Sequence, residues 1–166
     1  MKQLFIALVF IFSASFSFAQ SPLYVGSSQL NLGVGLSNAS IPVYIGFDHS
    51  VARDITLGAE LSYRSYNEHW STYYYDHNVI GISGNANYHF NTLFGISPRW
   101  DLYAGVNVGF YSWNSPDGYT GDHTSGLGLG GQVGARYYFN NKFGINLEYG
   151  GGNAFSGGKL GLTLKL

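Results

Sequence analysis

The chain has no cysteine, which excludes disulfides, thiolate metal clusters and a cysteine nucleophile. It is also poor in charge: 8 Lys and Arg and 9 Asp and Glu make up 10% of its 166 residues, for a formal net charge of −1. Roughly a quarter would be ordinary for a soluble domain. So few charges form no basic footprint for nucleic acid, and a chain this aromatic and uncharged is not a disordered one. Beyond residue 19 no apolar run approaches the ~20 residues that a membrane-crossing helix needs. Nothing repeats with the helical period of 3.6.

The one sustained apolar run stands at the start. Lys2 precedes Leu4-Phe5-Ile6-Ala7-Leu8-Val9-Phe10-Ile11-Phe12, and Ser17-Phe18-Ala19 follows. A charged lead, a short apolar stretch and a small-x-small site describe an export signal, so residues 1–19 are expected to be removed and residues 20–166 to form the mature chain. The run is too short to serve comfortably as an anchor.

Glycine (24 residues) and aromatics (17%) are abundant, and the apolar residues alternate. Leu30, Leu32, Val34 and Leu36 share one parity, and Ile55, Leu57, Ala59, Leu61 and Tyr63 do the same further on. Trp100, Leu102, Ala104, Val106, Val108 and Phe110 repeat it, as do Leu160, Leu162, Leu164 and Leu166. A period of two is the strand signal. It predicts eight strands, at 29–37, 41–50, 55–66, 78–90, 99–111, 126–139, 143–151 and 159–166, with ends good to about three residues.

Eight alternating strands suit two barrels. A soluble, exported lipocalin-like barrel buries its apolar parity around a ligand, whereas a membrane barrel turns that parity to lipid and keeps a polar lumen. The polar parity carries Gly33, Gly46, Gly105, Gly134 and Gly161 beside Gln29, Asn31, Asn85, Asn107 and Gln132. Glycine weakens a solvent-facing strand, but in a narrow lumen it makes room for long neighbours such as Tyr44, Tyr103 and Tyr138. The charges inside the strands, Asp48, Glu60, Arg64, Asp101, Arg136, Glu148 and Lys165, all share the polar parity. A lipid-facing Arg or Lys costs about 2–4 kcal/mol at the bilayer midplane, so this exclusion favours the membrane barrel. Aromatics gather toward strand ends, with Tyr88, Phe90, Trp100, Phe139 and Phe143 at one side and Tyr63, Phe110 and Tyr149 at the other.

Those seven charged residues are expected to form a lumenal cluster. Pairing Phe139 with Phe143 across residues 140–142 sets Arg136 opposite Asn146 and diagonal to Glu148. This reading makes Glu148 and Glu60 the partners of Arg136 and leaves Lys159 at a strand start. The connections 67–77 and 112–125 read as long external loops, while 50–54 and 140–142 read as short periplasmic turns and 91–98 as one of middling length. His69, Trp70, Tyr73, Tyr74, Tyr75, Trp113 and Tyr119 are the interaction candidates on those loops. Asp76-His77 and Asp122-His123 lie there too, as weak metal candidates, since polar loops hold such pairs routinely and no dedicated ligand spacing is present. No nucleophile elbow, phosphate loop or dinucleotide fingerprint occurs, so no catalytic residue and no cofactor is assigned.

The segments Asp101-Leu102-Tyr103-Ala104-Gly105-Val106-Asn107-Val108-Gly109 and Gly134-Ala135-Arg136-Tyr137-Tyr138-Phe139, continued by Asn140-Asn141-Lys142-Phe143-Gly144-Ile145-Asn146-Leu147-Glu148-Tyr149, resemble the small outer-membrane β-barrel domains of Gram-negative envelopes, the OmpA/OmpX-like group. The strand 159–166 is similar to that family's assembly signal, although it ends in Leu166 rather than an aromatic. The resemblance implies an all-β fold, an eight-stranded antiparallel up-and-down transmembrane barrel in the outer membrane. It implies outer-membrane lipid and the barrel-assembly machinery as partners, and a monomer. The function expected is non-enzymatic, in envelope structure or surface interaction through an unidentified extracellular partner, with a small passive pore as the alternative.

Overall fold

The computed structural model describes residues 22–37, 41–70, 73–114, 125–153 and 156–166, without the side chains of residues 37 and 66–77. Eight antiparallel strands form one closed barrel in sequence order: β1 (Ser28–Ser37), β2 (Val43–Ala52), β3 (Ile55–Trp70), β4 (Tyr73–His89), β5 (Trp100–Asn114), β6 (Gly126–Tyr138), β7 (Phe143–Gly152) and β8 (Gly157–Lys165). β8 closes on β1 through pairs such as Leu32↔Leu162 and Gly33↔Gly161, which leaves no sheet edge within the wall. The expected strands are all present, and their ends shift by a few residues except at one hairpin.

Which residues face inward separates the two barrels. Most buried positions are polar, among them Gln29, Asn31, Asp48, Asn87, Gln132, Asn146 and Thr163, while Leu32, Ile45, Leu61, Ile82, Val106, Leu129, Leu147 and Leu162 are exposed on the outer face. Water would not tolerate so continuous an apolar surface, and lipid requires it. The lipocalin-like reading is thereby overturned: the core is the polar lumen.

The wall is thick enough for a membrane and no more on half of its circumference. β1, β2, β7 and β8 hold 10, 10, 10 and 9 residues, close to the ~9–11 of a tilted spanning strand. β3, β4 and β5 are longer, at 16, 17 and 15 residues. The excess lies at one end. β2 stops pairing with β3 at Val43↔Tyr63, yet β3 and β4 go on pairing from Arg64↔Val79 to Trp70↔Tyr73. The reading of 67–77 as a loop is therefore corrected to a hairpin ribbon, which continues the barrel's own ladder. Its hydrophobic alternation fades above the bilayer, where no lipid selects for it, so a pattern-based reading stops too early. β5 likewise runs to Asn114, past the expected start of its loop.

At the opposite end the turns are short. Phe139 N–H donates to the Phe143 carbonyl at 2.9 Å, closing the 140–142 turn as its register requires. The middling connection holds a single helical turn, α1 (Asn91–Phe94), ended by Gly95 in the left-handed region at φ 65°. Asn91, the first residue of α1, is buried and donates from Nδ2 to the Trp100 carbonyl at 2.5 Å.

Candidate functional site

The polar side chains of the lumen form two ionic groups. Arg136 on β6 donates from Nη1 to Asp101 Oδ2 and from Nη2 to Asp48 Oδ2, each at 2.9 Å. Asp101 is its direct neighbour in the β5–β6 register, whereas Asp48 reaches it from β2 across the lumen. All three are buried, so the cation offsets two carboxylates that could not stand there alone. Asp101 also accepts from His89 Nδ1 at 2.7 Å, and His89 Nε2 lies 3.0 Å from Thr56 Oγ1. Asp48 also accepts from Gln29 Nε2 and Asn31 Nδ2 at 2.9 Å. Beyond them, the Tyr138 hydroxyl donates to Gln29 Oε1 and the Thr163 hydroxyl to Asn31 Oδ1, each at 2.7 Å. This network ties together β1, β2, β3, β4, β5, β6 and β8.

The second group is centred on Lys159. Its Nζ donates to both oxygens of Glu60 at 2.7 Å and stands 3.0 Å from Glu148 Oε1. Glu148 Oε2 accepts from the Tyr103 hydroxyl at 2.9 Å. Tyr103 joins the two groups, because the Arg136 guanidinium lies 4.1 Å from its ring centroid. Gly134 makes that crossing possible, since a Cβ there would overlap the Tyr103 ring. Between the groups a chain of amides runs from Asn107 to Gln132 at 2.9 Å, from Gln132 to Asn87 at 2.7 Å and from Asn87 to Asn85 at 3.0 Å.

The seven expected charges are thus lumenal, but their partners differ from those read in the sequence. Arg136 does sit opposite Asn146, yet it pairs with Asp48 and Asp101 rather than with Glu148 and Glu60. Those two glutamates take Lys159, which is no strand start but an inward residue of β8, in register with Glu148. Parity alone could have placed Lys159 with Gly161, Thr163 and Lys165 on the inner face. Sequence reading also missed His89, whose parity was correct but which stands one residue from a strand end. Arg64 is buried on β3 and lines, with Tyr44, Glu60, Tyr111, Gln132 and Lys159, a cavity of ≈ 90 Å³ in the half of the lumen nearer the ribbon. Lys165 lies at the far end, its Nζ 3.6 Å from the Tyr138 ring centroid.

The loop candidates divide. His69, Trp70, Tyr73, Tyr74, Tyr75, Asp76 and His77 belong by backbone to the β3–β4 ribbon, and their side chains lie outside the described residues. Trp113 is a residue of β5, half-buried, whose N–H donates to Ser125 Oγ at 3.0 Å. Tyr119, Asp122 and His123 lie outside the described residues.

Residues 4–164 match the family described as outer membrane protein beta-barrel domain. Among curated proteins nothing matches. Three solved structures share the fold. OprG from Pseudomonas aeruginosa is 10% identical at a TM-score of 0.63, with 88% of this chain and 99% of that one covered. The N-terminal β-barrel domain of OprF from Pseudomonas aeruginosa is 15% identical at 0.57, covering 86% and 98%. Ail, the attachment invasion locus protein of Yersinia pestis, solved with the heparin analogue sucrose octasulfate, is 12% identical at 0.55, covering 86% and 100%. A polar lumen inside an apolar wall of eight strands, together with the match over nearly the whole length, decides the matter: this chain belongs to the outer membrane protein β-barrel domain family.

Proposed function

We propose that the protein is a non-enzymatic barrel of the outer membrane that acts at the cell surface, by contact rather than by transport. The observation that supports this is the β3–β4 ribbon. From Tyr66↔His77 to Trp70↔Tyr73, β3 and β4 pair with each other alone among the described residues, so the ribbon rises roughly 15 Å beyond the wall at ~3.3 Å per residue. Its outer backbone edges offer hydrogen-bonding groups to an incoming strand, and its sequence, from Tyr66 through Trp70 to Tyr73-Tyr74-Tyr75, is rich in aromatics suited to an interface. The ribbon and the following connection at 112–125 form the contact surface in this reading. The partners are outer-membrane lipid, the machinery that inserts the barrel, and an extracellular partner. Attachment by a barrel of the same fold, in the name of the Yersinia pestis protein, supports the reading by analogy alone.

The test is adhesion. Cells displaying the wild-type chain should be retained on immobilised extracellular-matrix proteins or heparin, and cells displaying a chain in which residues 65–78 are replaced by a two-residue turn should be lost. Equal retention of both, with equal amounts of folded barrel at the surface, would sink the proposal.

A further inference from the structure

The end of the barrel opposite the ribbon holds a depression of ≈ 670 Å³ whose lining includes Arg99, Lys142 and Lys165 and no Asp or Glu. These are three of the eight Lys and Arg residues of the chain. The fold gathers them by backbone bonds: Tyr138 N–H donates to the Arg99 carbonyl and Lys165 N–H to the Lys142 carbonyl, each at 2.8 Å. With the Lys165 ammonium over its ring, Tyr138 forms the floor between the two flanks. Among the described residues no carboxylate side chain is ion-paired with any of the three. The nearby acids have other direct partners, for Asp48 and Asp101 share Arg136 and Asp54 accepts from the Thr92 hydroxyl at 2.7 Å, although Asp101 still attracts Lys165 at longer range. Leu166 also lines the hollow, and its α-carboxylate offsets part of this charge; the remaining excess of cations attracts an anion.

Depth identifies the anion. Arg99 precedes Trp100 and Lys142 precedes Phe143, and both aromatics are exposed on the outer face beside Phe139. Such a belt marks the level of lipid headgroups, so the cations stand where phosphates lie. Leu23 and Phe139 add apolar lining. We propose that this mouth binds the headgroup of an anionic phospholipid, with Arg99, Lys142 and Lys165 around its phosphate. The proposal rests on the membrane placement of the barrel and is independent of any contact made by the ribbon.

Native mass spectrometry of the delipidated protein in detergent tests it, with phosphatidylglycerol and phosphatidylcholine as probes. The wild type should retain phosphatidylglycerol roughly 30- to 150-fold better, as expected for two or three cations acting at ~1 kcal/mol each. The triple variant Arg99→Gln, Lys142→Gln, Lys165→Gln should bring the ratio near one, while Arg53→Gln, on a neighbouring turn outside the depression, should leave it unchanged. A shift in electrophoretic mobility on heating reports folding separately from lipid retention. If the triple variant does not fold, Lys142→Gln alone, in an exposed turn, should lower the preference several-fold. Equal retention of both lipids by the wild type, or an undiminished preference in folded Lys142→Gln and triple variants, would overturn the site. Displacement of the lipid by millimolar inorganic phosphate would also overturn it, in favour of a soluble anion.

Discussion

Arg136 is the side chain on which the lower lumen depends, since among the described residues it is the one cation paired with both Asp48 and Asp101. Arg136→Ala should destabilise the barrel by about 3–5 kcal/mol, the range for breaking a buried pair, read as a lower temperature for the heat-induced shift on a gel. Adding Asp48→Asn should restore part of the loss, because one uncompensated acid is then removed. Strictly additive losses would mean that the two residues are not coupled. Glycines make a second contrast. Gly134→Ala pushes a methyl group into the Tyr103 ring and should cost about 1–3 kcal/mol. Gly84→Ala, on the outer face with its nearest neighbour at 3.8 Å, should change stability by less than about 0.5 kcal/mol. Equal effects in denaturant unfolding would contradict the packing described for Tyr103.

For the strands, the membrane sets the rule on one face and the lumen on the other. Leu61→Arg on β3 and Val106→Arg on β5 place a cation on the exposed apolar face. Each should cost about 2–4 kcal/mol near the midplane, measured as lost folding yield into lipid vesicles. The strands also show where sequence periodicity stops being informative. Within the bilayer, Ile55, Leu57, Ala59, Leu61 and Tyr63 alternate because lipid selects every second residue. Above it, β3 continues through Asn67, Glu68 and His69 with its backbone still paired to β4, but no lipid imposes a pattern there. A hydrogen-bonded ladder without a hydrophobic face reads as a loop.

For the whole molecule, closure of the sheet brings side chains distant in sequence together at the centre. Glu60 and Lys159 are 99 residues apart and meet at 2.7 Å, and Gln29 and Tyr138 are 109 apart at the same distance. An eight-stranded barrel is about narrow enough for side chains to fill, and here they link through Tyr103 from one ionic group to the other. The wild-type chain in a planar bilayer should therefore show no steady ion conductance. Sustained single-channel current through the folded barrel would return the passive-pore alternative. Closure also leaves no unpaired edge within the wall, so the barrel should migrate as a compact species in cold SDS and shift only on heating. A single unfolded band at both temperatures would contradict it.

The sequence by itself determined the class of fold, the number of strands and the side of the sheet that each residue takes. These follow from a strict period of two and from the cost of placing charge in lipid, both of which are local or single-residue properties. The turn at 140–142 was legible for the same reason, because Phe139 and Phe143 had to share a face. Tertiary structure alone decided which charges meet. Parity places Arg136, Glu148 and Lys159 in the lumen, but the partner of each depends on the stagger and tilt with which eight strands close. That closure sets Asp48 of β2 against Arg136 of β6 and Glu60 of β3 against Lys159 of β8. A pattern that repeats every two residues carries no information about stagger, so the pairs across the lumen could be known only once the barrel was closed.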